Sequence, residues 1–230
     1  MFQPEFDAFA DEYYSKLKQT ISKASENPEF FAEYKIKDVQ KVCHRYSISS
    51  NTILDFGSGI GNSIPWFRKY FPHSKLFCSD VSKKSLDISR HRFPGNETHL
   101  LITDNRIEVP DKSVDIVFSS CVFHHIPFDL HNDWLQEIKR ILKPNGLFII
   151  FEHNTLNPLT VKTVRECSFD EHAQLLSGSY AQSLFKKNGL KPHVRYRIFF
   201  PHSLRFLRWS ERFLTRIPFG AQYYIFAIKK

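Results

Sequence analysis

Two short clusters carry the side chains with which this chain could move a proton. His124-His125 follows the apolar segment 113–121, and Glu152-His153-Asn154-Thr155 follows the apolar run Leu147–Phe151. An imidazole is the usual proton acceptor near neutral pH, and a neighbouring carboxylate can orient it. Glu152 with His153 has the makeup of such a pair. The same four polar residues suggest either a substrate pocket or a loop pinned by Asx turns and an Asn or Thr helix cap. A second set of candidates consists of acids that close apolar runs: Asp55, Asp80 and Asp104. Asp55 stands two residues before Gly57-Ser58-Gly59-Ile60-Gly61. Without Cβ atoms, that backbone can take positive φ and come close to a ligand. A glycine-rich loop feeding a helix is a general device for holding nucleotide-like ligands.

The surrounding pattern says what positions these residues. Strands are expected at 52–56, 75–80, 98–103, 113–121 and 146–152, with helices at 63–71, 82–93 and 130–142. Asn62 or Ser63 caps the first of these helices, and Pro65 falls in its first turn. Such alternation predicts a parallel sheet with helices on both faces. Ligands bind these sheets at the carboxyl ends of strands, near the point where strand order reverses. Asp55, Asp80, Asp104 and Ser119–His124 all fall at such ends. Upstream, Phe6, Phe9, Tyr13 and Leu17 repeat at helical spacing over 5–20, and a longer helix covers 29–46. The second begins Phe30-Phe31-Ala32-Glu33-Tyr34-Lys35, where Phe31 and Tyr34 either line the site mouth or pack in the core. Downstream, helices are expected at 154–166, 177–188 and 203–217, and strands at 194–200 and 221–228.

The run from Asp55 to Gly61 resembles motif I of the class I S-adenosylmethionine (SAM)-dependent methyltransferases, and Glu152-His153-Asn154 with Asn157-Pro158 and Cys167-x-Phe169-Asp170 looks like a subgroup linked to cell-surface saccharide or lipid-linked pathways. Lys75–Asp80, Asp104-Asn105, Val109–Ser120 and Lys143-Pro144-Asn145-Gly146 resemble that family's later motifs in order and spacing. Val114 replaces the usual aromatic, and Asn145 the usual first glycine. The resemblance covers residues 1–155 well and the rest loosely. It implies a Rossmann-like α/β fold with a mostly parallel sheet, antiparallel last strands and an N-terminal helical lid over 1–46. The SAM-binding core would be 52–152, and 153–230 would face substrate. It places SAM, and its product S-adenosylhomocysteine, on Asp55, Gly57, Ser58, Gly59, Asp80, Val81, Asp104, Asn105, Ser120 and Cys121. In the family the first acid faces the cationic methionine end, the second the ribose and the third the adenine edge. Tyr13 would close over the cofactor. His125, His124, His153 and Glu152 are the candidates for a catalytic base, which only an acceptor of high pKa requires.

The implied reaction is methyl transfer to an oxygen or nitrogen of a small, saccharide or lipid-linked acceptor. A nicotinamide dinucleotide enzyme would have glycine at the sixth loop position, where Asn62 stands. Ser119–Ile126 lacks the Asp/Asn-Pro-Pro-aromatic motif of base-amino methyltransferases, which counts against a nucleic-acid substrate. A nucleic-acid enzyme using the basic tail and a silent SAM-binding protein are the alternatives. No metal site is expected, although His124 and His153 could converge.

Charge is unevenly placed. The net +8 resides in residues 191–230, which hold nine Lys or Arg and one acid, Glu211; the first 190 residues balance to zero. As one helix, 203–217 would carry a stripe of Arg205, Arg208, Arg212 and Arg216 beside a stripe of Phe206, Trp209, Phe213 and Ile217. Such a helix predicts peripheral contact with an anionic membrane, or else a solvated face over packed aromatics. The scattered cysteines, and an N-terminus without the order of a signal peptide, predict a cytoplasmic protein, peripheral at most to the inner face of a membrane. The sequence does not specify an oligomeric state.

Overall fold

The computed structural model describes residues 28–167 and 173–230. The expected helix at 5–20, with Tyr13, lies outside the described residues. In chain order the structure has α1 (Pro28–Tyr46), β1 (Thr52–Phe56), α2 (Ile64–Tyr70), β2 (Lys75–Asp80), α3 (Lys83–Arg92), β3 (Thr98–Leu101), β4 (Val114–Ser120), α4 (His131–Ile141) and β5 (Leu142–His153). These are followed by α5 (Pro158–Arg165), α6 (Gly178–Lys187), β6 (His193–Arg197), α7 (Glu211–Leu214) and β7 (Gln222–Ile228).

The strands form one sheet in the order β3-β2-β1-β4-β5-β7-β6. The first five are parallel, and β7 runs antiparallel to both neighbours. This is the architecture that the resemblance implies. Helices cover both faces, so the central strands are buried along their length rather than alternating buried and exposed. Ile53, Leu54 and Phe56 of β1 are all fully buried. On one face Trp134, Leu135 and Ile138 of α4 pack beside Phe185 of α6. Phe185 stacks on Phe148 of β5 at 5.1 Å. On the other face Ile36 and Val39 of α1 meet Phe67 of α2. Strand order reverses between β1 and β4, so the ends of these two strands border the crevice.

Two local expectations are corrected. The strand expected from 146 runs back without a break to Leu142. Asn145 sits at φ +63 and donates its N–H to the Lys229 carbonyl, while the pairing with β4 shifts between Val114 and Ile116. The expected turn is thus absorbed as an irregularity in the strand, at a residue that tolerates the left-handed region. The helix expected over 203–217 is instead a 3-10 segment, His202–Ser210, kinked at Leu204, followed by the one-turn α7. Glu211 is buried and accepts the N–H groups of Phe199 and Phe200, which folds the segment back on itself. The acid of the family turn, Asp115, is structural. It accepts the Thr52 N–H at 2.8 Å and the Lys143 ammonium at 2.9 Å, tying β1, β4 and β5 together.

At the end of β1, Gly57 has φ +75, and a Cβ there would stand 2.3 Å from a methyl of Val122. Gly57→Ala should therefore cost about 2–4 kcal/mol, from the left-handed backbone plus overpacking. Thermal melts should show a second change, Val122→Ala, recovering part of the loss. A Gly57→Ala protein as stable as the parent would contradict this loop geometry.

Candidate active site

The loop after β1 is closed by its own backbone. Gly57 and Ser58 both donate to the Ser79 carbonyl, at 2.8 and 3.0 Å, and Gly61 donates to Ser58 at 3.0 Å. Gly59 donates to Asp80 Oδ2 at 2.8 Å, while Asp80 Oδ1 accepts from Ser82 at 2.9 Å. These four loop N–H groups are spent inside the protein, so the loop is not built as a phosphate cradle. A Cβ built on Gly59 would meet nothing within 4 Å, whereas at Gly61 it would strike Ser89 at 2.3 Å. The space over Gly59 is open, and only the flanks of the loop are packed.

Asp55 stands at the carboxyl end of β1, just before that loop. Its Oδ2 and the hydroxyl of Ser58 are buried without a hydrogen-bond partner. Burial pushes the Asp55 carboxyl up to about 7. A hydrogen bond from Ser63 works against this, Asp80 adds to the rise and Lys35 opposes it. Ser63 occupies the cap position of α2 but makes no capping bond with its side chain. A buried carboxylate lacking donors, beside an open space, is fitted to receive a cationic group.

Lys35 closes the far side. This buried lysine of α1 donates to Ser120 Oγ at 2.7 Å and reaches Cys121 Sγ at 3.6 Å. Cys121 has φ +57. Burial alone would raise its thiol, but Lys35 and His153 outweigh burial and bring it down to about 6. Tyr34, next to Lys35, is core: it packs on Phe151 and donates to the side chain of Gln222 at the start of β7.

The second wall is made of imidazoles. His124 is buried, and its Nδ1 lies 2.6 Å from Glu152 Oε2; the other carboxylate oxygen accepts the Phe123 N–H at 3.0 Å. Burial pushes the Glu152 carboxyl up, but His124 above all, then His153 and His125, hold it below its ordinary value. An ionised carboxylate only accepts, so Nδ1 of His124 carries the proton between them. Glu152 thus pairs with His124 across the β4–β5 boundary, and not with its sequence neighbour His153, because adjacent strand residues point to opposite faces. The half-buried rings of His125 and His153 lie 4.2 and 5.5 Å from His124. Among the described residues no group of three or more His, Cys, Asp or Glu is arranged to hold a metal ion.

Most of the candidates therefore converge. Asp55, Gly57–Gly59 and Asp80, with half-buried Val81 beside it, form one wall. Ser120, Cys121, His124, His125, Glu152 and His153 form the other, and Lys35 joins the two. Asp104 and Asn105 stand further out, exposed in a tight turn that Arg106 closes by donating to Thr103. Both have φ +53, which suits the Asp-Asn pair to this turn. Beyond His153, the reading of a pinned loop prevails over a pocket wall. Asn154 donates to the carbonyls of Pro218 and Gly220, and Asn157 caps α5 through the Thr160 N–H. These bonds delay the helix expected from 154 until Pro158.

Two residues escaped the sequence analysis. Lys35 lies on the inward face of α1 together with Asp38, and two charges on an apolar face were the available signal. His131 is fully buried, and its Nε2 lies 3.0 Å from the carbonyls of both Phe123 and Ile126. It thereby shapes the turn that presents His124 and His125.

Residues 54–150 match the family model described as a methyltransferase domain. A trans-aconitate 2-methyltransferase of Rhodopseudomonas palustris (strain BisA53) is 28% identical over 141 residues, which are 60% of this chain and 53% of that protein. The chain thus spans about half the length of this relative. An uncharacterized methyltransferase of Bacillus cereus is 25% identical over 210 residues, 85% of this chain and 91% of that one. A solved Thermotoga maritima protein, described as a SAM-dependent methyltransferase and possible histamine N-methyltransferase, has a TM-score of 0.68 at 18% identity and covers 99% of both chains. The plantazolicin methyltransferase BpumL, solved with S-adenosylhomocysteine, has a TM-score of 0.66 at 14% identity, covering 99% of this chain and 96% of that one. At such identities these structures share the fold.

Two outcomes follow from the site's electrostatics. Unfolded, Asp55 releases its proton near pH 4; folded, near 7. As pH rises through that window the native state loses stability relative to the unfolded chain. Asp55→Asn should therefore raise the melting temperature of the ligand-free protein more at pH 8 than at pH 4. An equal shift at both would contradict the buried charge. Cys121 should also alkylate at pH 7 faster than Cys43, whose thiol burial pushes up to about 12, and Cys78, which is raised as well. Peptide mapping after a short iodoacetamide pulse reads the order, and preferential labelling of Cys43 or Cys78 would overturn it.

Proposed function

With a methyltransferase domain of the class I fold at its core, we propose that this protein transfers the methyl group of SAM to an oxygen or nitrogen of a small-molecule, saccharide or lipid-linked acceptor. The observation that carries the reading is the unpartnered Asp55 Oδ2, buried at the strand-order reversal beside the open space over Gly59. An ammonium group satisfies it, and SAM carries one at its methionine end. Lys35, beside Ser120, is placed for the carboxylate of the same amino acid. In this reading Asp80 takes the ribose hydroxyls and Asp104-Asn105 the base edge. Bound SAM supplies a methyl group on a sulfonium that is already activated. The chain's task is then to hold the acceptor in line, exclude water and remove a proton when the acceptor carries one.

His125 and His153 are the groups placed to take that proton. His124 is a positioning residue: its proton is committed to Glu152, and its ring packs against both neighbours. The imidazoles also give the acceptor side a wall of ring N–H donors. That favours a second reading, a carboxylate acceptor, in keeping with the name of the Rhodopseudomonas relative. A carboxylate is ionised at neutral pH and needs no base.

Methyl-labelled SAM with the purified protein and an extract of its source cells tests transfer, and phase partition sorts the acceptor. Label in the organic phase indicates a lipid-linked or similarly apolar acceptor, and label in the aqueous phase a soluble one. With a hydroxyl acceptor, removing the base by His125→Ala or His153→Ala should cost about 10²–10⁴ in rate and abolish the acidic limb of the pH profile. A carboxylate acceptor should leave that limb flat in the parent protein. No transfer to any fraction, with no binding of S-adenosylhomocysteine by calorimetry, would refute the assignment.

A further inference from the structure

Exposed large apolar side chains are concentrated in one region. Of the nine among the described residues, eight belong to the segment Leu204–Phe219 or to Leu156 and Leu159 beside it. Phe206, Trp209, Phe213 and Phe219 are each about two-thirds exposed, at 66–68%, and Leu159 is 77% exposed. A patch of this kind marks an interaction surface.

The exposure is built into the backbone. Glu211 fixes the segment from inside through Phe199 and Phe200, and Tyr196 donates to Thr215 at 2.7 Å. Asn154 holds the Pro218 and Gly220 carbonyls, and Asn157 holds that of Phe219 at 2.9 Å, which brings Leu156 and Leu159 against the same surface. Leu207 and Leu214 are half-buried, and they turn inward what the segment can bury. The remaining apolar side chains stand on a braced platform.

Charge narrows the partner. Arg205, Arg212 and Arg216 are exposed between the apolar side chains, while Arg208 turns inward over the Phe30 ring of α1 at 4.6 Å. The one acid of residues 191–230, Glu211, is buried. The surface of the segment is therefore apolar and purely cationic. A second copy docking patch to patch would set these arginines against their own copies. A single-stranded nucleic acid would stack on the aromatics but find no use for Leu156, Leu159, Leu204 and Ile217. Aromatic and aliphatic side chains ringed by arginine match the boundary between acyl chains and anionic headgroups.

We propose that the surface formed by 204–219, with Leu156 and Leu159, seats the protein on an anionic lipid membrane. The position gives this a use. Gln222, which follows the segment, pairs with His153 in the sheet, so the surface borders the rim where the acceptor would enter. A lipid-linked acceptor could then reach the site from the membrane plane. No described helix is long and apolar enough to cross a membrane, and the contact proposed is peripheral.

The test is sedimentation of the full chain with vesicles and needs no methyl transfer, so its outcome is independent of the reading above. Vesicles of phosphatidylcholine with phosphatidylglycerol should bind the protein at low salt, and ~0.5 M salt should weaken that binding by screening. Pure phosphatidylcholine should bind about tenfold less. Trp209→Ala with Phe213→Ala, and separately Arg212→Glu with Arg216→Glu, should each lower binding about tenfold with unchanged circular dichroism. Lys187→Glu with Lys191→Glu, an equal charge change elsewhere, should have little effect. No binding at low salt, equal loss from both charge pairs, or equal binding to neutral vesicles would overturn the proposal. So would self-association, or tight binding of single-stranded RNA, that Trp209→Ala abolishes while vesicle binding persists.

Discussion

Asp55 ends the central strand with one carboxylate oxygen buried and unsatisfied, and much of the site is arranged around that atom. A buried carboxylate with too few donors is a cost to the fold, and here the cost takes the form of a pKa raised to about 7. The neighbourhood limits it without removing it. Ser63 and Lys35 both pull the pKa back. Asp80 pushes the other way, because a second carboxylate nearby disfavours the charged form of Asp55. Since four of the loop's N–H groups are consumed internally, what the loop side of the crevice offers a ligand is the Asp55 carboxylate. The site therefore favours a cationic group where a dinucleotide fold would favour pyrophosphate.

The same economy governs the other wall. Lys35 is the hinge between the two: buried on α1, it contacts Ser120 and Cys121 at the end of β4 and acts electrostatically on Asp55. Glu152 is fully buried, but His124 above all, with His153 and His125, keeps it ionised. His131 then fixes the turn from which His124 and His125 project. The consequence is a division of labour among three clustered imidazoles. One is locked by a carboxylate, and two stand at the opening.

The alternation of strands and helices, and the placement of Asp55, Asp80 and the histidines at strand ends, could be read from the sequence, because periodicity and glycine spacing are local signals. The pairing of Glu152 with His124 could not be read, since it depends on which strands are neighbours and which way each residue points. Asp115 looked like part of a family turn, and its role as a clamp on β1 and β5 emerged only from register. The segment 203–217 misled because its residues repeat at helical spacing. Glu211, pulled inside by two backbone donors, broke that helix, and tertiary demand overrode the pattern. Lys35 was visible as a charge on an apolar helix face, but its partners lie 85 and 86 residues away.

The most direct test of the central claim is a crystal structure of the protein with S-adenosylhomocysteine. The account predicts the ligand's amino group at hydrogen-bond distance from Asp55 Oδ2, over Gly57–Gly59, with its ribose hydroxyls at Asp80 and its sulfur toward the half-buried His125 and His153. A ligand bound elsewhere, or bound with its amino group away from Asp55, would contradict it.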